Sequence, residues 1–476
     1  MKFRTARRIT ANFFSLVSSQ IISRAIQLVI FVYLARVLGK TEFGIFSFGL
    51  AFSLLFMIIA DFGLSTLITR EISRDKKSAS KYLSNSIIIK LLLSAIAFVF
   101  AYLFLNIAGY SEEVKTIAYI MLGFALMQSF TEINYSIFRA FERMHYDAFT
   151  KILRMLILAG AIFYLIKNNY GLLASSLAFL ATEFIILVIA FFITYTRFIK
   201  ISFKFDYDFS RNLLKKSSFF CLSLVFASLY LYIDVVMLSK MRSTTEVGIY
   251  SAATNIIIAL IFIPQMYSNS IYPVISRFYI TSRKSLQFAY EKSFKYLSII
   301  GLGAAAGIYS LSEKIILFLY GWEYSESAVV LAILTVYLFL KFPNPMTGII
   351  LVSINKQKSR LFTQGIAAVT NIALNFILIP PYGIIGAAVA TVLTEIIFTI
   401  IYYSFIIKYG FNLKFLTKFM HKLIIAGVIM IFIISYIGNL FLAVFVGVVT
   451  YSTILFLFGI IDKEDKILFN KIKYNL

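Results

Sequence analysis

Cysteine occurs once, histidine twice and tryptophan once in this chain of 476 residues. A lone Cys221 excludes an intramolecular disulfide and any cysteine-based metal cluster. His145 and His421 stand far apart, and neither lies in an HExxH-type frame, so no histidine metal centre is written in the chain. Acidic residues number 22 against 45 basic ones, and the short connections contain no DxD or metal-ligand cluster. Also missing is a polar stretch long enough to fold alone. The longest connection, around Arg197 to Asn212, is a short basic segment. Membrane enzymes that polymerise or transfer glycans need a sizeable outer loop or domain, and this chain offers none. The sequence predicts no enzyme, no cofactor and no bound metal.

Long apolar runs fill the space instead. Hydrophobic residues make up 60% of the chain, and a bilayer core is crossed by a helix of about 20 such residues. The runs place fourteen spans at 10–38, 43–66, 83–106, 114–138, 149–167, 171–196, 214–238, 247–273, 292–312, 326–350, 359–379, 383–407, 418–437 and 440–460. The opening MKFRTARR followed by an apolar run has the look of a signal peptide. The run is too long, contains Arg24 and lacks a small-residue cleavage site, so it reads as the first membrane helix.

Charge orients the spans. The segments on the side of the N-terminus hold 35 basic and 10 acidic residues, whereas the opposite loops hold 6 basic and 7 acidic. Lys and Arg collect in cytoplasmic loops, which places both termini in the cytoplasm. A pI near 9.7 would suggest nucleic acid in a soluble protein. Here the excess is dispersed over eight short segments beside membrane helices, so it predicts contact with anionic membrane lipids and no nucleic acid.

The chain also echoes itself. Tyr170-Gly171-Leu172-Leu173 with Thr182-Glu183 matches Tyr382-Gly383-Ile384-Ile385 with Thr394-Glu395 at an offset of 212. Phe43-Gly44-Ile45-Phe46-Ser47 matches Val247-Gly248-Ile249-Tyr250-Ser251 at 204, and Phe149-Thr150 matches Phe362-Thr363 at 213. Three matches in one order predict a six-helix repeat. Six is even, so both halves enter the membrane alike, as in the parallel repeats of rocking transporters. The expected architecture is an all-α integral membrane protein of fourteen transmembrane helices. Its N-lobe is 1–200, its C-lobe 201–410, and helices 13–14 with a cytoplasmic tail occupy 411–476.

Ionisable residues inside a span are costly, about 2.5–3.5 kcal/mol on insertion scales, and face the bundle interior or a water-filled cavity. Nine stand out: Arg24, Arg36, Asp61, Lys90, Glu132, Glu183, Asp234, Lys341 and Glu395. Arg24 lies at the centre of the first span. Asn12, Ser15, Ser19, Gln20, Ser23 and Gln27 share about half of the helix circumference with it. Ser251, Asn255, Gln265 and Asn269 form a narrower stripe in the eighth span. Two polar stripes, one from each half, predict a hydrophilic cavity whose substrate-binding residues are Arg24, Gln20, Gln27, Asn255 and Lys341. The competing role for Arg24 is an ion pair with Asp61 or Glu132. Asp61, Glu132, Glu183, Asp234 and Glu395 are coupling or structural acids, and Glu183 and Glu395 share a bond to a neighbouring helix. Lys90 is expected to snorkel to the interface, and Arg36 and Asp234 to reach it from the outer helix ends. Phe342-Pro343-Asn344-Pro345 is expected to break the tenth span, and Pro264 and Pro273 the eighth.

These stretches resemble the polysaccharide transporter family, the lipid-linked oligosaccharide flippases of the multidrug/oligosaccharidyl-lipid/polysaccharide exporter superfamily. The resemblance rests on Ala35-Arg36-Val37-Leu38-Gly39 with Glu42-Phe43-Gly44, on Asp61-Phe62-Gly63-Leu64-Ser65 with Arg70-Glu71-Ile72, and on Phe138-Arg139-Ala140-Phe141-Glu142-Arg143. Tyr232-Ile233-Asp234, Val247 to Ala253 and Tyr272-Pro273-Val274-Ile275-Ser276-Arg277 extend it over nearly the whole chain. It implies two six-helix lobes around a cavity and alternating access. The implied substrate is a polyprenyl-diphosphate-linked oligosaccharide, whose diphosphate Arg24 would meet. A monomer driven in part by a coupling ion, proton or sodium, completes the expectation. The alternative is a cation-coupled multidrug exporter of the same superfamily. Against it stand the positive charge of Arg24 and the two extra helices.

Overall fold

The computed structural model describes residues 2–200, 205–460 and 465, and the side chains of 17–200, 205–460 and 465. The basic segment at 201–204 and the tail segments at 461–464 and 466–476 therefore lie outside it, as do the side chains of Asn12 and Ser15. Every element among the described residues is helical.

The helices are α1 (Lys2–Asp61), α2 (Leu64–Arg74), α3 (Ala79–Ile107), α4 (Glu112–Ala140), α5 (Met144–Lys167), α6 (Leu172–Arg197) and α7 (Tyr207–Met241). They continue as α8 (Thr244–Thr281), α9 (Arg283–Tyr320), α10 (Ser327–Lys341), α11 (Asn344–Ser353), α12 (Gln357–Lys408), α13 (Phe415–Ser435) and α14 (Leu440–Leu457). Twelve helical stretches among the described residues are long and apolar enough to cross a membrane.

Two of the twelve are too long for one crossing. The stretch Val17–Asp61 has 45 residues and Gln357–Lys408 has 52. At about 1.5 Å per residue, the second would measure about 78 Å against a hydrocarbon core of about 30 Å. Each is interrupted once, at Gly39 (φ 71°) and at Gly383 (φ 53°). Positive φ is nearly cost-free only for glycine, so each glycine ends one crossing and starts the next. Pro380 and Pro381 reinforce the second break by removing two backbone donors. With these divisions the described residues make fourteen crossings, those of an all-α integral membrane protein.

The prolines behave in two ways. Residues 342–343 separate α10 from α11, and Pro343 caps the new helix, as expected. In contrast, α8 runs unbroken through Pro264 and Pro273, which corrects the expected break. Each proline deletes one donor, but its fixed φ is helix-compatible, and α8 is long enough to hold both.

Packing divides the chain into two units: Met1–Asn255 with Gln364–Ala387, and Ile256–Thr363 with Ala388–Leu476. In the first unit, the start of span 2 and the start of α8 meet closely. A side chain at Gly44 would overlap the Thr244 carbonyl, and one at Gly248 would overlap the Lys40 carbonyl. The Thr41 and Thr245 hydroxyls bond at 2.9 Å. Thr41 and Thr245 are related by the 204-residue echo, and the same echo carries the Gly44–Thr244 contact onto the Gly248–Lys40 contact. Near this contact the repeat touches its own image, as the two faces of a two-fold interface do.

Candidate functional site

The buried charges of the first unit begin with Asp61 at the end of α1. Lys90 of α3 is fully buried and donates to Asp61 Oδ1 at 2.6 Å and to Ser129 Oγ at 2.8 Å. It also donates to the Ser129 carbonyl and, at 3.3 Å, to Ser65 Oγ. Ser65 in turn donates to Asp61. Lys90 therefore does not snorkel. Its ammonium is surrounded by acceptors from three helices, and this enclosure replaces the water it would otherwise seek. Asp61 is committed to Lys90, which removes it as a partner of Arg24.

Glu132 of α4 is committed as well. Arg139 reaches Glu132 at 3.3 Å and Asp147 at 2.7 Å, and Lys151 reaches the other Asp147 oxygen at 2.7 Å. Burial would raise the Asp147 carboxyl, but Arg139 and Lys151 outweigh it and hold the group below the usual carboxylate range. The echo-related acids are held alike. Glu183 of α6 accepts from Thr131 at 2.7 Å and pairs with Arg154 at 3.3 Å. In the second unit, Glu395 accepts from Asn344 at 2.5 Å and pairs with Lys341 at 3.0 Å. Both glutamates are fully buried. Thr131 and Asn344 are themselves 213 residues apart in sequence. The charge of Lys341 is thus matched by Glu395, with the rings of Tyr337 and Phe398 5.3 Å away.

Asp234 of α7 corrects another expectation. It does not reach the interface but is 4% exposed. Tyr250 donates to one of its oxygens at 3.0 Å and Asn375 to the other at 2.6 Å. One turn earlier on α12, Asn371 is fully buried with neither amide atom bonded, and Asn375 Oδ1 is also without a partner. Arg36 is exposed.

Arg24 stands apart from these pairs. It is exposed, forms no ion pair among the described residues, and donates Nη1 to Gln27 Oε1 at 3.0 Å. Gln20 and Gln27 are half-buried beside it on α1. The Tyr232 phenol and the Arg154 guanidinium lie within electrostatic reach. An arginine at bilayer depth without a carboxylate is a standing donor for an anion, because its guanidinium stays charged and presents a planar fork. Asn255 is half-buried on α8 in the same unit, while Gln265 and Asn269 are exposed in the other. Arg154 was not among the nine intramembrane charges. It sits near the start of its span, where it merges with the neighbouring basic segment. Its depth of five residues inside span 149–167 was the available signal. No group of three or more His, Cys, Asp or Glu residues gathers for a metal among the described residues.

Comparison with known proteins fits this helical frame. The family model described as "Polysaccharide biosynthesis protein" matches residues 9–279, more than half of the chain. The chain belongs to this family. A second model, MatE, matches residues 220–377. Among polysaccharide biosynthesis relatives, the "Probable low-salt glycan biosynthesis flippase Agl15" of Haloferax volcanii is 25% identical over 453 residues, covering 92% of this chain and 94% of that protein. The "Capsular polysaccharide biosynthesis protein CapF" of Staphylococcus aureus is 22% identical, covering 83% and 98%. In fold, the chain matches the lipid II flippase MurJ with a TM-score of 0.79 at 18% identity, over 93% of this chain and 98% of that one. An inward-facing multidrug resistance MATE transporter matches with a TM-score of 0.69 at 16% identity, over 80% and 93%.

Proposed function

We propose that this protein is a flippase and not an enzyme. It carries a polyprenyl-diphosphate-linked oligosaccharide from the cytoplasmic to the outer leaflet of a prokaryotic cell membrane by alternating access. The observation that carries this reading is Arg24: cationic, exposed, at mid-span and paired with no carboxylate among the described residues. A diphosphate-sugar headgroup cannot enter hydrocarbon without losing its hydration. Arg24, Gln20 and Gln27 replace part of that hydration while the polyprenyl tail stays in lipid. The names of the relatives, a glycan biosynthesis flippase and a capsular polysaccharide protein, support the same substrate class. In this reading Lys341, matched by Glu395, adds polarity but no net charge, and Asn255 adds a further amide.

The charge partition supports cytoplasmic termini. The substrate's negative charge then moves outward, which an inside-negative potential favours by about 2.3 kcal/mol per charge per 100 mV. A coupling ion belongs to this reading, with Asp234 as its carboxylate and the unbonded amide oxygen of Asn375, which touches Asp234 through its Nδ2, as a further oxygen ligand. Hard cations take oxygen ligands of this kind. The lobes at 1–200 and 201–410, the added helices at 411–476 and the monomeric state belong to the same proposal. The MatE match keeps the multidrug exporter as the second reading, and Arg24 opposes it by repelling cationic drugs.

The test is export of the glycan alongside the amount of protein in the membrane. Arg24→Ala is expected to abolish export at normal abundance, Arg24→Lys to retain part of it, and Arg24→Glu to be inactive. Full export by a normally abundant Arg24→Ala protein overturns the proposal. Drug resistance conferred on a sensitive strain, without glycan export, establishes the second reading.

A further inference from the structure

Arg24 has a neighbour that the substrate reading does not yet use. Span 1 and α5 are both odd-numbered crossings, so they run in the same direction. They touch where the Tyr33 and Phe163 rings lie 4.6 Å apart. Arg24 and Arg154 each precede that contact by nine residues. Parallel helices in equal register bring the two arginines to one level, about 13.5 Å from the ring contact at about 1.5 Å per residue. Nine residues at about 100° each amount to two and a half turns, so both arginines leave the helix face opposite to the rings. Phe163 is 43% exposed, which puts the ring contact on the outer flank of the helix pair. The two guanidiniums lie within electrostatic reach of each other.

Arg154 is also prepared for a ligand. Glu183 holds one of its terminal nitrogens, and Thr131 holds Glu183. That arrangement fixes the guanidinium in place. Its Nε is buried without any acceptor, and a buried donor left unbonded costs about 1–3 kcal/mol. An incoming anion would satisfy it.

We propose that Arg154 is the second arginine of the substrate site, meeting one phosphate of the diphosphate while Arg24 meets the other. The inference rests on the flippase reading and deepens it. Two guanidiniums at one level match a diphosphate, whereas one suffices for a monophosphate. Selection for the diphosphate-linked carrier over its monophosphate then resides in Arg154. Glu183 is a positioning residue that holds the fork before the substrate arrives.

The experiment is calorimetric binding of farnesyl diphosphate and farnesyl monophosphate to the full-length protein in detergent. Wild type is expected to prefer the diphosphate. Arg154→Gln should weaken diphosphate binding about tenfold or more, the loss of roughly one charge-assisted contact, and change monophosphate binding far less. Arg154→Lys should fall between. Because Arg154→Gln leaves Glu183 unpaired, the Arg154→Gln/Glu183→Gln protein is measured in parallel. It should regain the wild-type melting temperature yet keep the weakened diphosphate binding. Wild-type diphosphate affinity in either variant overturns the role of Arg154, provided Arg24→Ala still weakens binding. If Arg24→Ala also binds like wild type, the failure lies with the flippase site itself.

Discussion

Single residues carry the largest energies in this protein, because each buried charge is held by named partners. Lys90 is the plainest case, with Asp61, Ser65 and Ser129 around one ammonium. Lys90→Met leaves Asp61 buried without its cation, and breaking such a pair costs about 3–5 kcal/mol. The expected result is a large drop in membrane abundance and melting temperature, with much of both recovered when Asp61→Asn is added. An unchanged melting temperature for Lys90→Met shows that the pair does not hold the fold. At this scale the sequence was only half legible. It marked Lys90 and Asp61 as intramembrane charges, but distance along a span does not tell which way a side chain faces. Asp234 was misplaced for the same reason, since its partners Tyr250 and Asn375 come from other helices. The polar surroundings of Arg24 on α1 were legible because its polar neighbours recur on one helix face, a pattern that needs no tertiary knowledge.

At the scale of elements, glycine decides where crossings begin and where they approach. The breaks at Gly39 and Gly383 fell between spans that hydropathy had already separated, so the helix boundaries were readable. The prolines of α8 were not, because a proline shows a missing donor and not whether the helix tolerates it. The tightest approach is that of span 2 and α8 at Gly44 and Gly248. Gly44→Val places two methyl groups where the Thr244 carbonyl already sits. We expect it to lower abundance or abolish export, whereas Thr41→Val loses only one hydroxyl bond, about 1 kcal/mol. In a Cys221→Ser background, Thr41→Cys with Thr245→Cys should form a disulfide on mild oxidation. Failure to cross-link under oxidant would show that these helix starts do not meet.

For the whole molecule, the prediction is topological. The charge partition predicts that both termini lie in the cytoplasm, and fourteen crossings then put the loop at Ser111 to Glu113 outside. Reporters fused after Leu476 and inserted in that loop should therefore report opposite compartments. The same compartment for both means that the crossings are miscounted. The number of crossings was the most legible level, since hydropathy is summed over many residues and tolerates local error. Pairing across helices depends on single contacts, and no sum over the sequence contains them.

The threonine contact at the outset of span 2 and α8 has a chemical consequence. A residue that faces its own image must complement itself. A lysine or a carboxylate in both copies would meet a like charge, and an amine or a carbonyl alone would meet nothing it can bond. A hydroxyl both donates and accepts, so Thr41 and Thr245 satisfy each other with the same side chain, and Gly44 and Gly248 need only the absence of bulk. Once the two halves share one chain, that restriction no longer binds. Thr41→Lys with Thr245→Glu is open to this protein, and would be closed to a dimer of identical halves.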